Sequence, residues 1–225
     1  MEKYVKKILE ANVYDVAIQT PLEVAPLLSS RTGSEVLLKR EDMQPVFSFK
    51  VRGAYNKISR LTPREKKKGV ITASAGNHAQ GVAMAATTLG IRSRIVMGEN
   101  TPSIKIDAVK AFGGEVILHG DTYDEAAGFA RKEATRSGAI YIHPFDDADV
   151  IAGQGTIGME IMRQYTGPLD AVYVPVGGGG LIGGIGAFVK YLQPECKIIS
   201  VECEESEGVG EGRGSAGTGG AARDV

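Results

Sequence analysis

Short runs of β-branched and apolar residues alternate along this chain with longer segments of helical character, and that alternation sets the fold class. The runs lie at 35–39, 70–74, 93–97, 115–119, 139–143, 171–176 and 197–202. Several are apolar throughout, as strands covered on both faces must be. Helices are predicted between them, at about 49–59, 78–89, 101–113, 121–138, 151–164 and 181–192. Thr101-Pro102 reads as an N-cap followed by N1, and Asp121 opens the next helix with Asp124 and Glu125 in its first turns. Strand–helix alternation implies an α/β protein with a mostly parallel sheet. Ligands of such sheets gather in the loops that follow the strands' carboxyl ends.

Composition removes several function classes. The chain has 225 residues, and 26 Lys and Arg against 27 Asp and Glu leave a net charge of −1. No basic field for nucleic acid or for a membrane surface follows from that balance. Cys196 and Cys203 are too few for a disulfide framework or a zinc site and read as reduced thiols; no metal is expected. The 171–189 stretch carries no charge, but its seven glycines and Pro175 make it strand, loop and helix rather than a membrane span. No targeting segment is read at the start, so a cytoplasmic protein, or a mature protein of the plastid stroma, is expected. From Glu207 onward seven of nineteen residues are glycine, and 207–225 is expected to be a disordered tail.

Three junctions could carry chemistry. In Gln44-Pro45-Val46-Phe47-Ser48-Phe49-Lys50-Val51-Arg52-Gly53 the lysine falls in a first helical turn. There the helix dipole opposes a cation, and Phe47 and Phe49 are expected to desolvate the amine, as a Schiff-base lysine requires. A solvated surface lysine is the plainer alternative. In Thr72-Ala73-Ser74-Ala75-Gly76-Asn77-His78-Ala79-Gln80-Gly81, small residues after a strand expose N–H groups at a helix start, and Asn77 adds a neutral donor. A plain turn with an N-cap is the competing reading, and His78 reads as packed rather than as an acid–base group. Gly177-Gly178-Gly179-Gly180-Leu181-Ile182-Gly183-Gly184 is read as a phosphate cradle of backbone N–H groups feeding a helix. Gly178, Gly180 and Gly183 also match G-x-G-x-x-G with Glu202 ending the next strand, which keeps an NAD(P)-dependent oxidoreductase open. No nucleoside-triphosphate loop and no nucleophile elbow is present.

A Schiff-base lysine, an anion-binding loop with an asparagine and a monophosphate cradle are together the parts that pyridoxal 5′-phosphate needs. The stretches Ser48 to Ala54, Ser74 to Gly81, Ile151-Ala152-Gly153-Gln154-Gly155-Thr156 and Gly177 to Leu181 resemble those of threonine dehydratases (threonine ammonia-lyases) of the biosynthetic plant and bacterial type. The resemblance covers about 4–205. It implies a fold type II pyridoxal-phosphate enzyme, tryptophan synthase β-like, with two parallel-sheet lobes. The large cofactor-binding lobe would comprise 1–52 and 146–206, and a small mobile lobe 53–145.

The resemblance also implies roles. Lys50 would carry the cofactor as an imine and then act as the base at the substrate Cα. Asn77 would bind the ring's 3′ oxygen. The N–H groups of Gly177, Gly178, Gly179, Gly180 and Leu181 would bind the phosphate. Ser74, Ala75, Gly76, Asn77 and His78 would hold the substrate carboxylate. The reaction implied is deamination of L-threonine, with serine as an alternative substrate, to 2-oxobutanoate and ammonia, at the start of isoleucine biosynthesis, in a homo-oligomer. Serine racemases of this fold place a serine base where this chain has Ala75, so racemisation is not expected. Phe145 is a candidate lining for the threonine methyl, with core packing as the alternative. Dehydratases continue past this chain's end, with a serine on the pyridine nitrogen and an isoleucine-sensing domain, and Ser215-Ala216-Gly217 lacks the context for that serine. The large lobe is therefore expected to be incomplete and the chain to be a truncated, impaired form; a non-catalytic, cofactor-binding fragment is the third reading.

Overall fold

The computed structural model describes residues 2–202 and 223–224. Its contacts divide the chain into two compact units, a discontinuous one of Met1–Ala11 with Phe145–Val225 and a continuous one of Asn12–Pro144. The expected lobes divide the chain at 52/53 and 145/146. The second boundary falls one residue away, whereas 12–52 groups with the continuous unit.

The first element of the chain is α1 (Glu2–Leu9), which belongs to the discontinuous unit. The continuous unit opens with an antiparallel pair, β1 (Leu22–Val24) and β2 (Leu37–Lys39), flanking α2 (Pro26–Thr32). Helices α3 (Lys50–Ser59) and α4 (Pro63–Lys68) follow. Then strand and helix alternate: β3 (Val70–Ala73), α5 (Asn77–Thr88), β4 (Ser93–Met97), α6 (Ser103–Ala111), β5 (Glu115–Leu118), α7 (Tyr123–Ser137) and β6 (Ile140–Tyr141). These strands form one all-parallel sheet in the order β5-β4-β3-β6. β3 is buried along its whole length, and Ile71 and Ala73 pack with Val96 and with Ala126, Ala127 and Ala130 of α7. Alanines on the α7 face let that helix lie close to the sheet.

The discontinuous unit continues with α8 (Ala148–Gln164), β7 (Ala171–Pro175), α9 (Gly180–Leu192), β8 (Lys197–Val201) and β9 (Arg223–Asp224). β7 pairs with β8 in parallel, and β9 pairs antiparallel with β8. α1 docks on this unit through Val5 and Ile8, which pack with Ala152, Met159 and Phe188. Lys7 adds a 2.8 Å bond to Asp149.

Several expectations need correction. The 35–39 run is a three-residue strand of an antiparallel pair, and its partner β1 is half exposed, too short and open to announce itself in the sequence. α6 starts at Ser103, with Pro102 rather than Thr101 at the N-cap and no side-chain cap. The cap of α7 is Thr122, not Asp121, in a capping box with Glu125. β6 covers two residues of the expected 139–143 run. The expected tail lies outside the described residues, apart from Arg223–Asp224 in β9. Among the described residues no helix is long and apolar enough to cross a membrane and no metal-holding cluster occurs.

Candidate functional site

Lys50 is the first residue of α3, whose N-cap Phe49 has helical φ/ψ and offers no side-chain cap. Its Nζ donates a 2.9 Å hydrogen bond to the Pro144 carbonyl and stands 5.3 Å from the centre of the Phe49 ring. Burial holds its pKa below the ordinary lysine value, because a desolvated ammonium loses hydration that one carbonyl does not replace. Phe49 thus shields the amine as expected. Phe47 does not: it is 77 % exposed. Its φ of +55°, the sole positive φ of a non-glycine residue among those described, turns the ring outward.

Helix α3 is anchored by a buried charge network. Arg52, without solvent exposure, donates from Nε to Glu41 Oε2 at 2.8 Å and from Nη2 to Glu41 Oε1 at 2.7 Å. Thr20 Oγ1 donates to the same carboxylate at 2.6 Å. Gln44, also buried, accepts from the Ile18 N–H at 3.0 Å and returns a 2.8 Å bond to the Ile18 carbonyl. Paired and saturated in this way, a buried guanidinium fixes the start of α3 in one place.

The Ser74–His78 loop leads from β3 into α5. Gly76 is the N-cap of α5, with no side-chain cap, and Asn77 opens the helix, exposed. Ser74 Oγ is turned to the Gly76 N–H at 3.2 Å. This loop and Lys50 are brought together: a Cβ on Gly81 would stand 3.0 Å from the Lys50 carbonyl carbon, so glycine lets α5 close on the start of α3. The His78 side chain does not face an anion. It is 4 % exposed and its Nε2 lies 3.1 Å from the Ile142 carbonyl, which can only accept, so Nε2 carries the hydrogen. Burial, with smaller electrostatic contributions from the Lys50 and His143 positions, lowers its pKa to about 3. What remains for an anion in this loop is its N–H groups.

In the discontinuous unit the glycine run joins β7 to α9. Gly179 is the N-cap of α9, left-handed at φ +82°, with no side-chain cap. The close contacts are those of Gly178 and Gly180: a Cβ on Gly178 would collide with the Phe145 ring, and one on Gly180 would lie 2.8 Å from the Phe145 carbonyl oxygen. Gly177 and Gly179 face open space. Phe145 therefore packs under the loop. The amides that open α9 lack side-chain acceptors, which is the arrangement a phosphate completes.

The sequence profile of the pyridoxal-phosphate dependent enzymes matches residues 13–222. The chain belongs to that family. It is 55% identical over 206 residues to the biosynthetic L-threonine dehydratase of Burkholderia multivorans, covering 90% of this chain and 41% of that protein. It is 56% identical over 200 residues to the chloroplastic biosynthetic threonine dehydratase of Arabidopsis thaliana, covering 89% and 34%. Its fold overlays the processed threonine deaminase isoform 2 of Solanum lycopersicum with a TM-score of 0.87 at 56% identity, over 89% of this chain and 55% of that one. The chain thus spans well under half the length of these two dehydratase sequences.

As a member of the pyridoxal-phosphate dependent enzymes the chain takes that cofactor, and the nicotinamide reading of Gly178, Gly180, Gly183 and Glu202 finds no support. The residues present fit the group. In the continuous unit a half-buried amine of lowered basicity suits its aldehyde, and in the discontinuous unit an uncapped helix N-terminus behind Gly177–Gly180 suits its phosphate, each taken by itself. Four buried side-chain polar atoms also stay unsatisfied among the described residues, Ser48 Oγ two positions before the lysine, His78 Nδ1, Ser93 Oγ and Tyr141 Oη. Sequence reasoning assigned no part to Thr72, Ile142 or Pro144. The available signal was Thr72 itself, a hydroxyl in a strand that is otherwise apolar and wholly buried.

Proposed function

We propose that this chain carries the cofactor-binding residues of an L-threonine ammonia-lyase, which eliminates water from threonine to leave an enamine that water then hydrolyses to 2-oxobutanoate and ammonia, the entry to isoleucine biosynthesis. The observation that carries this reading is Lys50: an amine of lowered basicity at the head of α3, within a chain more than half identical to dehydratases of that name. Pyridoxal phosphate, when bound, supplies an electron sink for negative charge at the substrate Cα. Lys50 Nζ would hold the cofactor covalently and, once displaced by substrate, take up the Cα proton. For that it must be neutral, and burial biases it so. Gly177, Gly178, Gly179, Gly180 and Leu181 would bind the phosphate through N–H groups, and Asn77 the ring's 3′ oxygen. Ser74, Ala75, Gly76, Asn77 and His78 would bind the substrate carboxylate through the loop backbone. Residues 53–145 would act as a mobile lobe against 1–52 and 146–206, in a homo-oligomer of the cytoplasm or plastid stroma.

The test is chemical trapping. The chain is mixed with pyridoxal phosphate, reduced with borohydride and mapped by mass spectrometry, alongside ammonia release from threonine and from serine. One phosphopyridoxyl group on Lys50, absent in Lys50→Ala, together with a higher kcat/KM for threonine, is the expected result. An adduct on another lysine sinks the residue assignment, and a preference for serine sinks the substrate.

A further inference from the structure

Three residues that follow β6, Ile142, His143 and Pro144, form a strap that three side chains hold by its backbone. Thr72 Oγ1 donates to the Ile142 carbonyl at 2.8 Å, and His78 Nε2 donates to the same oxygen at 3.1 Å. The Ile142 N–H is held as well, by the Ile71 carbonyl at 2.9 Å. Two residues on, the Pro144 carbonyl accepts the 2.9 Å bond from Lys50 Nζ. Thr72, His78 and Ile142 are all buried, so no solvent competes for these donors.

The strap transmits position because it is stiff. Proline fixes its own φ near −65° and confines the residue before it to extended conformations. With both polar groups of Ile142 held, few soft dihedrals remain before the Pro144 carbonyl. The two side-chain donors to the Ile142 carbonyl, Thr72 and His78, stand on different elements, β3 and the first turn of α5, and converge on one oxygen.

We propose that Thr72 and His78 are positioning residues for Lys50: by clamping the Ile142 carbonyl they place the Pro144 carbonyl, which parks the Lys50 amine in the orientation from which it captures an aldehyde. His78 takes part as a neutral donor, and its Nδ1 plays no proton-transfer role. The proposal rests on Lys50 being the cofactor lysine, and it assigns the clamp to covalent capture rather than to cofactor affinity.

The two contributions separate by experiment. Binding of pyridoxamine 5′-phosphate, which has no aldehyde, reads affinity without Lys50 chemistry. The rate at which pyridoxal 5′-phosphate becomes borohydride-trapped on Lys50 reads capture. In Thr72→Val, which keeps the shape and removes the donor, capture is expected to slow by between about tenfold and a hundredfold, the range a small misplacement of a reacting group produces. Pyridoxamine phosphate affinity should stay within about twofold of wild type, well below the tenfold that ~1.4 kcal/mol represents. Thr72→Ser, which restores the hydroxyl, should recover most of the rate. His78→Gln, which can still donate from its amide, should capture faster than His78→Leu, and this pair replaces the first should Thr72→Val fail to fold. Capture at the wild-type rate in the donor-less variants, or equal loss of capture and of pyridoxamine phosphate binding, overturns the clamp. Wild-type trapping on a lysine other than Lys50 removes the Lys50 assignment and this proposal together, and that outcome is visible before any variant is made.

Discussion

A histidine that is buried and neutral makes a protein sensitive to acid. His78 has a folded-state pKa of about 3, held down first by desolvation, while an exposed histidine titrates near 6.5. The unfolded chain therefore binds the proton that the folded chain refuses. This contribution is fully present above about pH 6.5 and is lost as the pH falls toward 3, with a slope approaching ~1.4 kcal/mol per pH unit. Urea unfolding at pH 7, 6 and 5 should show that loss in the wild-type chain and a shallower one in His78→Gln, where nothing titrates at this position. Equal slopes would mean that His78 takes up a proton in the folded state, at odds with a buried imidazole kept neutral by desolvation. At this scale the sequence was informative where chemistry is local. The candidates Lys50, Asn77 and the glycines, whose roles stay proposals, lie in contiguous motifs, and the packed reading of His78 agrees with its burial. It was silent on Thr72 and Pro144, because their bonds join residues 70 and 94 positions apart. It also mistook Phe47 for a shield, since no residue preference announces a left-handed phenylalanine.

Helix packing in the discontinuous unit turns on glycine. A Cβ on Gly184 of α9 would lie 2.5 Å from the Ile151 carbonyl oxygen and 2.7 Å from the Gly155 nitrogen on α8, backbone atoms that cannot swing aside. One turn face away, Gly183 looks onto open space. The pair gives an internal control. Gly184→Ala should destabilise by ~1–3 kcal/mol through overpacking, net of any helix preference, while Gly183→Ala should be neutral or stabilising by up to ~1 kcal/mol. Urea midpoints of both variants decide it, and a stable Gly184→Ala would mean that α8 and α9 are not in this contact. Elements with continuous apolar or β-branched runs were legible: β3 and β4, which are buried nearly throughout, and β7 and β8, which are buried at one and two positions, stand with the helices after them within a few residues of expectation. Elements with little to bury were missed. α4 and α2 have no buried residue, and α1 has only Val5 and Ile8 in a lysine-rich sequence.

For the whole molecule, the continuous unit Asn12–Pro144 contains every strand of the four-stranded parallel sheet and the helices that cover it. Expressed alone it should fold, with native-like far-UV circular dichroism and one cooperative urea transition; a non-cooperative melt would show that its sheet depends on residues outside it. The lobe boundaries implied by family likeness and the compact units differ over 12–52, since likeness reports shared motifs and compactness reports where side chains close on one another. The discontinuous unit has another consequence, for a chain made one residue at a time. Val5 and Ile8 of α1 leave the ribosome well before the residues of α8 they pack against, and Lys7 meets Asp149 across 142 positions. At the ordinary pace of elongation α1 spends roughly ten seconds or more as a sticky amphipathic leader while the middle of the protein is built and closes behind it. Its three lysines, Lys3, Lys6 and Lys7, then serve the nascent chain before they serve the finished fold, keeping the waiting helix dispersed until its berth on α8 exists.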